Sequence, residues 1–270
     1  MTSRSSTSVA GSHSADTSTT GKRGAARTTV GSRASAANSS GSERTSRERG
    51  GTGSVTTRGL EEQIESSGLG PVAGVDEAGR GACCGPITIA GCILPPGKIA
   101  GLESLTDSKK LTPKKRDMLY EVIKNVAVSW SVVHIEAWDI DQRGIQHANV
   151  SGMRRAVARL DPQPGYVLTD AVKVPGLTMP HVPLLKGDQV SLSIAAASVL
   201  AKVSRDRVMC ELGEEYREYG LGGHKGYGTA DHMAAVSLHG GTPHHRYTYK
   251  NVAAAHAAWL ENQRKDCRTL

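Results

Sequence analysis

The segment Val72-Ala-Gly-Val-Asp76-Glu77-Ala-Gly79-Arg80-Gly81 constrains this chain more than any other. An apolar run ends in two adjacent carboxylates, and a Gly-Arg-Gly turn follows at once. A buried strand avoids charge at its end unless something binds there, because an unpaired carboxylate in a dry place is costly. Neighbouring carboxylates also repel, and a divalent cation removes that repulsion. Gly79 and Gly81 let backbone amides come close to a ligand, and Arg80 between them can fork onto a phosphate or a hydroxyl. The segment reads as a hard-metal site beside a phosphate-reading loop; the plainer alternative is a glycine-rich β-turn with solvated acids.

The character of the 270 residues changes near residue 60. Residues 1–58 contain three valines and no Leu, Ile or aromatic residue, too little apolar surface to offset the entropy of ordering. The expectation is a disordered tail over 1–60 and a folded catalytic domain over 61–270. Nine basic residues face three acids in 1–58, a net +6 of the chain's +7, so the basic character belongs to the tail. In composition the tail resembles a transit peptide, but it lacks the leucines of an amphipathic face. A basic arm drawn to nucleic acid is a second reading, and a dispensable extension is the preferred one. With no apolar run of membrane-spanning length and no secretory core, a soluble cytoplasmic protein is expected. The five cysteines show no CxxC spacing and are odd in number, which suits reduced thiols.

Pro71–Val75 and Pro86–Leu94 read as two strands of a hairpin around a Gly79–Gly85 turn. Thr112-Pro113 signals a helix start, with Met118, Leu119, Val122 and Ile123 at helical spacing over 113–125. Val126–Ile135 alternates like a strand, and Ile140–Leu160 reads as a helix, divisible at Gly144 and Gly152. Gly165–Asp170 and Val182–Lys186 are short strands, and Ser191–Tyr216 is the longest helical stretch. Its small-residue run Ser193–Ser198 permits close packing on a sheet. Two amphipathic stretches, 230–239 and 250–264, close the chain. The pattern argues for an α/β domain: a mixed central sheet flanked by helices, antiparallel where strands run in sequence, with a C-terminal helical extension.

Three strand ends or post-strand turns carry acids: Asp76 with Glu77, Asp170, and Asp188. Ligands of open α/β sheets bind beyond the strand ends. Four carboxylates meeting there need cations between them, and oxygen-only ligands select Mg²⁺ or Mn²⁺ over zinc. Two such ions would activate a water and stabilise the leaving oxygen of a phosphodiester. Singly, Asp170 also reads as a turn or cap residue, and Asp188 as a turn or the N-cap of the next helix. No Ser-His-Asp or Cys-His arrangement competes.

The chain resembles the type 2 ribonuclease H family, the bacterial ribonuclease HII group. The residues that carry the resemblance are Gly74-Val-Asp76-Glu77-Ala-Gly-Arg-Gly81, Asp107-Ser-Lys-Lys-Leu111, Asn149 with Gly152-Met-Arg154, and Thr169-Asp170. It continues through Lys186-Gly-Asp188, Ala195–Asp206 and His224-Lys-Gly-Tyr227-Gly-Thr229, in order over roughly residues 70–255. The resemblance implies a ribonuclease H-like fold and a two-ion site of Mn²⁺ or Mg²⁺ on Asp76, Glu77, Asp170 and Asp188. It implies hydrolysis of the RNA strand of RNA–DNA hybrids and cutting 5′ of single ribonucleotides in duplex DNA, leaving 3′-hydroxyl and 5′-phosphate ends. Gly79, Arg80 and Gly81 match the loop that reads the ribose 2′-hydroxyl, and Tyr227 the tyrosine that stacks beyond the ribonucleotide. Lys109, Lys110, Ser198, Lys202 and Lys225 are implied phosphate contacts, and His224 beside Lys225 reads as another. The late histidines do not read as a zinc site, for want of cysteines at ligand spacing. Ala171 stands where Gly is common in the family, and Val172 and Leu221 where aromatics are, departures that touch packing near the site. The rival readings are a DNA-specific nuclease of the same fold and an inactive nucleic-acid-binding module. A monomer acting on nucleic acid, without a membrane, is expected.

Overall fold

The computed structural model describes residues 57–105 and 108–268; the expected tail up to residue 56 and Asp107 lie outside the described residues. The described chain opens with α1 (Gly59–Ile64), which straddles the expected domain boundary at residue 60. Arg58 is buried and forks onto both carboxylate oxygens of Glu65, at 2.7 and 2.8 Å. Glu61, fully buried, is held by the Ser191 hydroxyl (2.7 Å) and the Ser193 amide (2.9 Å). Glu61 thereby ties the helix to residues 191–193, and Arg58 ties it to residue 94 by donating from Nη1 to Leu94 O (3.3 Å).

Five strands follow: β1 (Val72–Ala78), β2 (Ile87–Ile93), β3 (Ser129–Ile135), β4 (Tyr166–Asp170) and β5 (His181–Leu184). They form one sheet in the order β3-β2-β1-β4-β5. β1 pairs antiparallel with β2 and β2 with β3, as a hairpin reading requires. β4 and β5 are sequence neighbours yet pair in parallel, against expectation. The reason is the connection: residues 171–180 return the chain to the starting end of β4 instead of turning tightly.

The helices α2 (Pro113–Val126), α3 (Ala137–Arg143), α4 (Ile145–Ala158), α5 (Gly187–Val190) and α6 (Leu192–Glu215) cover both faces of the sheet. Thr112 caps α2 by accepting from the Lys115 amide, but α2 runs through Val126, so β3 begins later than the alternation suggested. The helix expected over 140–160 does break at Gly144, whose φ of 83° no ordinary side chain tolerates. It does not break at Gly152, which lies inside α4 and packs so closely on the sheet that a Cβ there would sit 2.4 Å from the Ile89 side chain.

Alternation along β1 and β2 builds two cores. Ala73, Val75, Ile87, Ile89 and Ile93 face α3 and α4, where Ile140, Met153 and Val157 meet them. Ala78, Ala90 and Cys92 face α2 and α6, against Leu119, Ile123 and the alanines Ala195–Ala197. The small-residue start of α6 lies so close to β1 that a Cβ on Gly74 would fall 2.1 Å from the Ser193 carbonyl carbon.

The chain ends with α7 (Leu221–His224), α8 (Ala230–His239) and α9 (Lys250–Asp266). Asp141 on α3 pins the segment before α9, accepting from the amides of Tyr247 (2.7 Å) and Thr248 (3.0 Å). All five cysteines are free. Among the described residues no helix is long and apolar enough to cross a membrane.

Candidate active site

Asp76 and Glu77 do not end the first strand, as the apolar run suggested; β1 continues through both to Ala78. Neighbouring side chains on a strand point to opposite faces, so the two acids straddle the sheet. Asp76 takes the α6 side, where the Ser198 hydroxyl hydrogen-bonds it. Glu77 takes the α4 side, beside wholly buried Asn149. Asp170 closes β4, the parallel neighbour of β1, one residue beyond the Val75–Thr169 pair and so in step with Asp76. The Gly187 amide donates to Asp170 Oδ1 at 2.8 Å and so brings the turn of Asp188, itself buried, against Asp170.

Burial pushes the Asp76 carboxyl well above the usual carboxylate range, and the charges of Glu77 and Asp170 push it further. Bonds from the Glu77 amide (2.7 Å) and Ser198 offset only part of that. Glu77 is also raised, first by burial and then by Asp170, while Asn149, Arg80 and Lys109 favour its charged form. Glu77 Oε2 and both polar atoms of the Asn149 amide are buried without a partner at hydrogen-bond geometry. Mutually repelling acids, an orphaned buried carboxylate oxygen and an all-oxygen donor set fit a hard divalent cation.

A cleft of about 330 Å³ opens over Asp76 and Glu77. Gly79, Arg80, Gly81, Ser198, Lys109, Lys202 and Tyr227 line it, a gathering of most of the residues expected around the substrate. Arg80 bonds Gln146 at the start of α4 (2.9 Å) and lies 3.9 Å from Glu77. Tyr227 is 43 % exposed, its ring centroid 5.8 Å from the Arg205 guanidinium. Lys110 is exposed on a short helical turn, Ser108–Lys110.

Several of the expected contacts already have partners within the protein. Ser198 is shared between Asp76 and the Ser108 hydroxyl (2.7 Å), so it serves the acid site before any phosphate. Lys225 Nζ donates to Gly222 O (2.6 Å) and Cys210 Sγ (2.8 Å), and Lys202 pairs with Asp206 (2.7 Å). Both lysines also line a second groove of about 740 Å³. His224 Nε2 donates to Tyr219 O (2.8 Å) and its Nδ1 accepts from the Gly226 amide (3.2 Å), so both ring nitrogens are bonded within the protein.

Cys84, His232 and His245 bring their ligand atoms within 4.8 Å of one another, a proximity the sequence spacing does not reveal. The ring nitrogens are engaged in hydrogen bonds with one another and with the backbone. The Thr242 amide donates to His245 Nδ1 (2.9 Å), so the neutral ring carries its hydrogen on Nε2 and donates to His232 Nε2 (3.0 Å). His232 then donates from Nδ1 to Tyr227 O (2.9 Å). Burial keeps these rings neutral, with His245 lowered to about 4, and pushes the Cys84 thiol up to about 12. The chain of bonds ends on the backbone of Tyr227.

Sequence reasoning also missed two wholly buried arginines, Arg205 and Arg246. Arg205 donates to the carbonyls of Pro86, Lys225 and Cys84, tying the loop after β1 to that of Tyr227. Their acceptors are loop carbonyls far away in the chain, and no local pattern announces them.

Ala171, Lys186 and Lys225 adopt left-handed backbone, with φ of 53°, 54° and 53°. The family departure at Ala171 thus falls where a Cβ is unwelcome. Ala171→Gly is expected to stabilise the fold by about 1 kcal/mol and raise the thermal midpoint by roughly 2–4 °C. Calorimetry checks it; a lowered midpoint would remove the strain argument.

A mixed sheet flanked by helices, with Asp76 and Glu77 late in β1, Asp170 closing β4 and Asp188 in the turn beyond β5, is a fold of the ribonuclease H-like class. The family model for ribonuclease HII matches residues 73–252, and the chain belongs to that family. It is 71 % identical over 205 residues to ribonuclease HII of Corynebacterium jeikeium, covering 76 % of this chain and 99 % of that protein. To the Mycolicibacterium smegmatis ribonuclease HII it is 52 % identical over 198 residues, 73 % of each. Among solved structures, ribonuclease H2 of Pyrococcus horikoshii superposes with a TM-score of 0.62 at 25 % identity, over 70 % of this chain and 99 % of that one. The fold alone is shared with Bst-RNase HIII in complex with Mn²⁺, at a TM-score of 0.56, 19 % identity and 70 % of each chain. The protein is therefore a ribonuclease H enzyme, a metal-dependent hydrolase that cuts within nucleic acid.

Proposed function

We propose that the enzyme hydrolyses the RNA strand of RNA–DNA hybrids and cuts 5′ of single ribonucleotides in duplex DNA, leaving 3′-hydroxyl and 5′-phosphate ends. The observation that carries this reading is one cleft lined by Asp76 and Glu77, by Gly79-Arg80-Gly81 and by Tyr227. Acids for the reaction, backbone amides for a 2′-hydroxyl and an exposed ring for the next sugar stand within reach of one nucleotide step.

Asp76, Glu77, Asp170 and Asp188 would hold two Mg²⁺ or Mn²⁺ ions. Bound there, such ions supply an activated water and charge stabilisation for the leaving oxygen. The manganese in the structure of Bst-RNase HIII supports that ion as a candidate. Around them the chain's own groups act. Ser198 and the Glu77 amide hold the Asp76 carboxylate in place. Arg80 and Lys109 favour the charged form of Glu77. Arg205 and the His245–His232 chain hold the segment that presents Tyr227. Lys109 and Lys202 at the cleft rim suit phosphates. We further propose a cytoplasmic monomer whose partner is the nucleic acid itself.

The test uses an end-labelled duplex with one ribonucleotide, an all-DNA duplex, and Mg²⁺ or Mn²⁺. A single cut 5′ of the ribonucleotide, absent from all-DNA and from chelator-treated samples, is the expected result. Cutting of both duplexes would favour the DNA-specific reading, and no cut with either metal the binding module. Tyr227→Ala is expected to lower cleavage at the junction about tenfold or more, the worth of one lost stacking contact, while the melting temperature holds. Equal rates for that variant and wild type would sink the stacking role.

A further inference from the structure

The side of the Gly79–Gly81 loop that faces away from the cleft is gripped by two groups outside the acid site. Arg246, wholly buried, donates from Nε and Nη2 to Gly85 O (3.1 and 2.9 Å) and from Nη1 to Arg80 O (3.1 Å). One guanidinium thus spans both ends of the 80–85 segment. The Tyr249 hydroxyl donates to the same Arg80 carbonyl (2.9 Å) and accepts from Arg246 Nη1 (3.1 Å). A trans peptide is planar, with its N–H opposed to its C=O. Turning the Arg80 carbonyl towards Arg246 and Tyr249 therefore turns the Gly81 N–H the other way. Gly81 is exposed, lines the cleft, and has open space where a Cβ would lie. Its N–H finds no acceptor among the described residues.

We propose that Arg246 and Tyr249 are positioning residues for ribose recognition: by fixing the Arg80 carbonyl they aim the Gly81 amide at the substrate's 2′-oxygen. The proposal rests on the reading of this loop as the 2′-hydroxyl reader. A free amide aimed at a hydroxyl discriminates well only if it is held, because a swinging peptide loses orientation on binding.

The experiment measures fluorescence-anisotropy Kd values for a duplex with one ribonucleotide and for its all-DNA counterpart. It uses Asp76→Asn protein to prevent cutting, alone and combined with Tyr249→Phe or Arg246→Lys. The parent is expected to prefer the ribonucleotide. Tyr249→Phe should reduce that preference about fivefold, the worth of one hydrogen bond, and Arg246→Lys about tenfold or more. All-DNA affinity should change less than about twofold. Tyr249 is partly exposed and loses only an oxygen, so that variant decides the matter if Arg246→Lys fails to fold. Unchanged preference in folded variants, or an equal loss on both duplexes, would overturn the positioning role. No preference in the parent would instead overturn the ribose-reading loop itself, and the positioning role with it.

Discussion

Replacing Asp76 with asparagine is expected to abolish cleavage, by about 10³-fold or more, while duplex binding stays within about threefold. The exchange keeps the shape of the side chain and removes one charge from the acid cluster, weakening its hold on a cation worth several kcal/mol to the reaction, each 1.36 kcal/mol being about tenfold in rate. A second readout separates this from unfolding. The Asp76 carboxyl is raised in the fold by burial and by Glu77 and Asp170. For a raised carboxylate, stability falls as pH climbs from the ordinary carboxylate range through the shifted one, because ionisation is costlier in the fold than in the open chain. Asparagine has no such cost, so in chelator at neutral pH the variant should melt no lower than wild type. Wild-type cleavage by a folded variant would refute the assignment of Asp76 to the metal site.

Gly74→Ala is the second large effect, and it concerns the scaffold. A Cβ there falls 2.1 Å from the Ser193 carbonyl carbon and 2.2 Å from the Ile194 nitrogen. Backbone atoms at the start of a buried helix cannot step aside as a flexible side chain can. Overpacking of that kind should destabilise by about 3 kcal/mol or more, a fall of roughly 6–12 °C in the thermal midpoint. Gly81→Ala is the control, since a Cβ at Gly81 meets nothing within 4 Å. Similar midpoints for the two variants would show that α6 does not press on β1 as described.

Much of this architecture is readable in the chain because local signals and tertiary structure agree. Thr112-Pro113 opens α2, and the alanine run of α6 lies against β1 as small residues allow. The apolar run before Asp76 predicts the central strand, but not that it continues past the acids. Hydrophobicity cannot mark a strand end when the site itself places charge inside the strand. The parallel pairing of β4 and β5 is hidden because their strands look alike in either direction, and only the return of residues 171–180 decides. Arg246 and Arg205 are invisible for another reason: their partners are carbonyls, which every residue has. Glu61 sits where composition has only just turned apolar, so nothing local marks it as an anchor for α6.

The alternation of β1 hands Asp76 to the layer of α6 and Glu77 to the layer of α4. Neither half of the molecule owns the acid cluster. Asp76, Glu77 and Asp170 themselves sit on strands that the two layers share, so a fault in the packing of either layer reaches the site through β1.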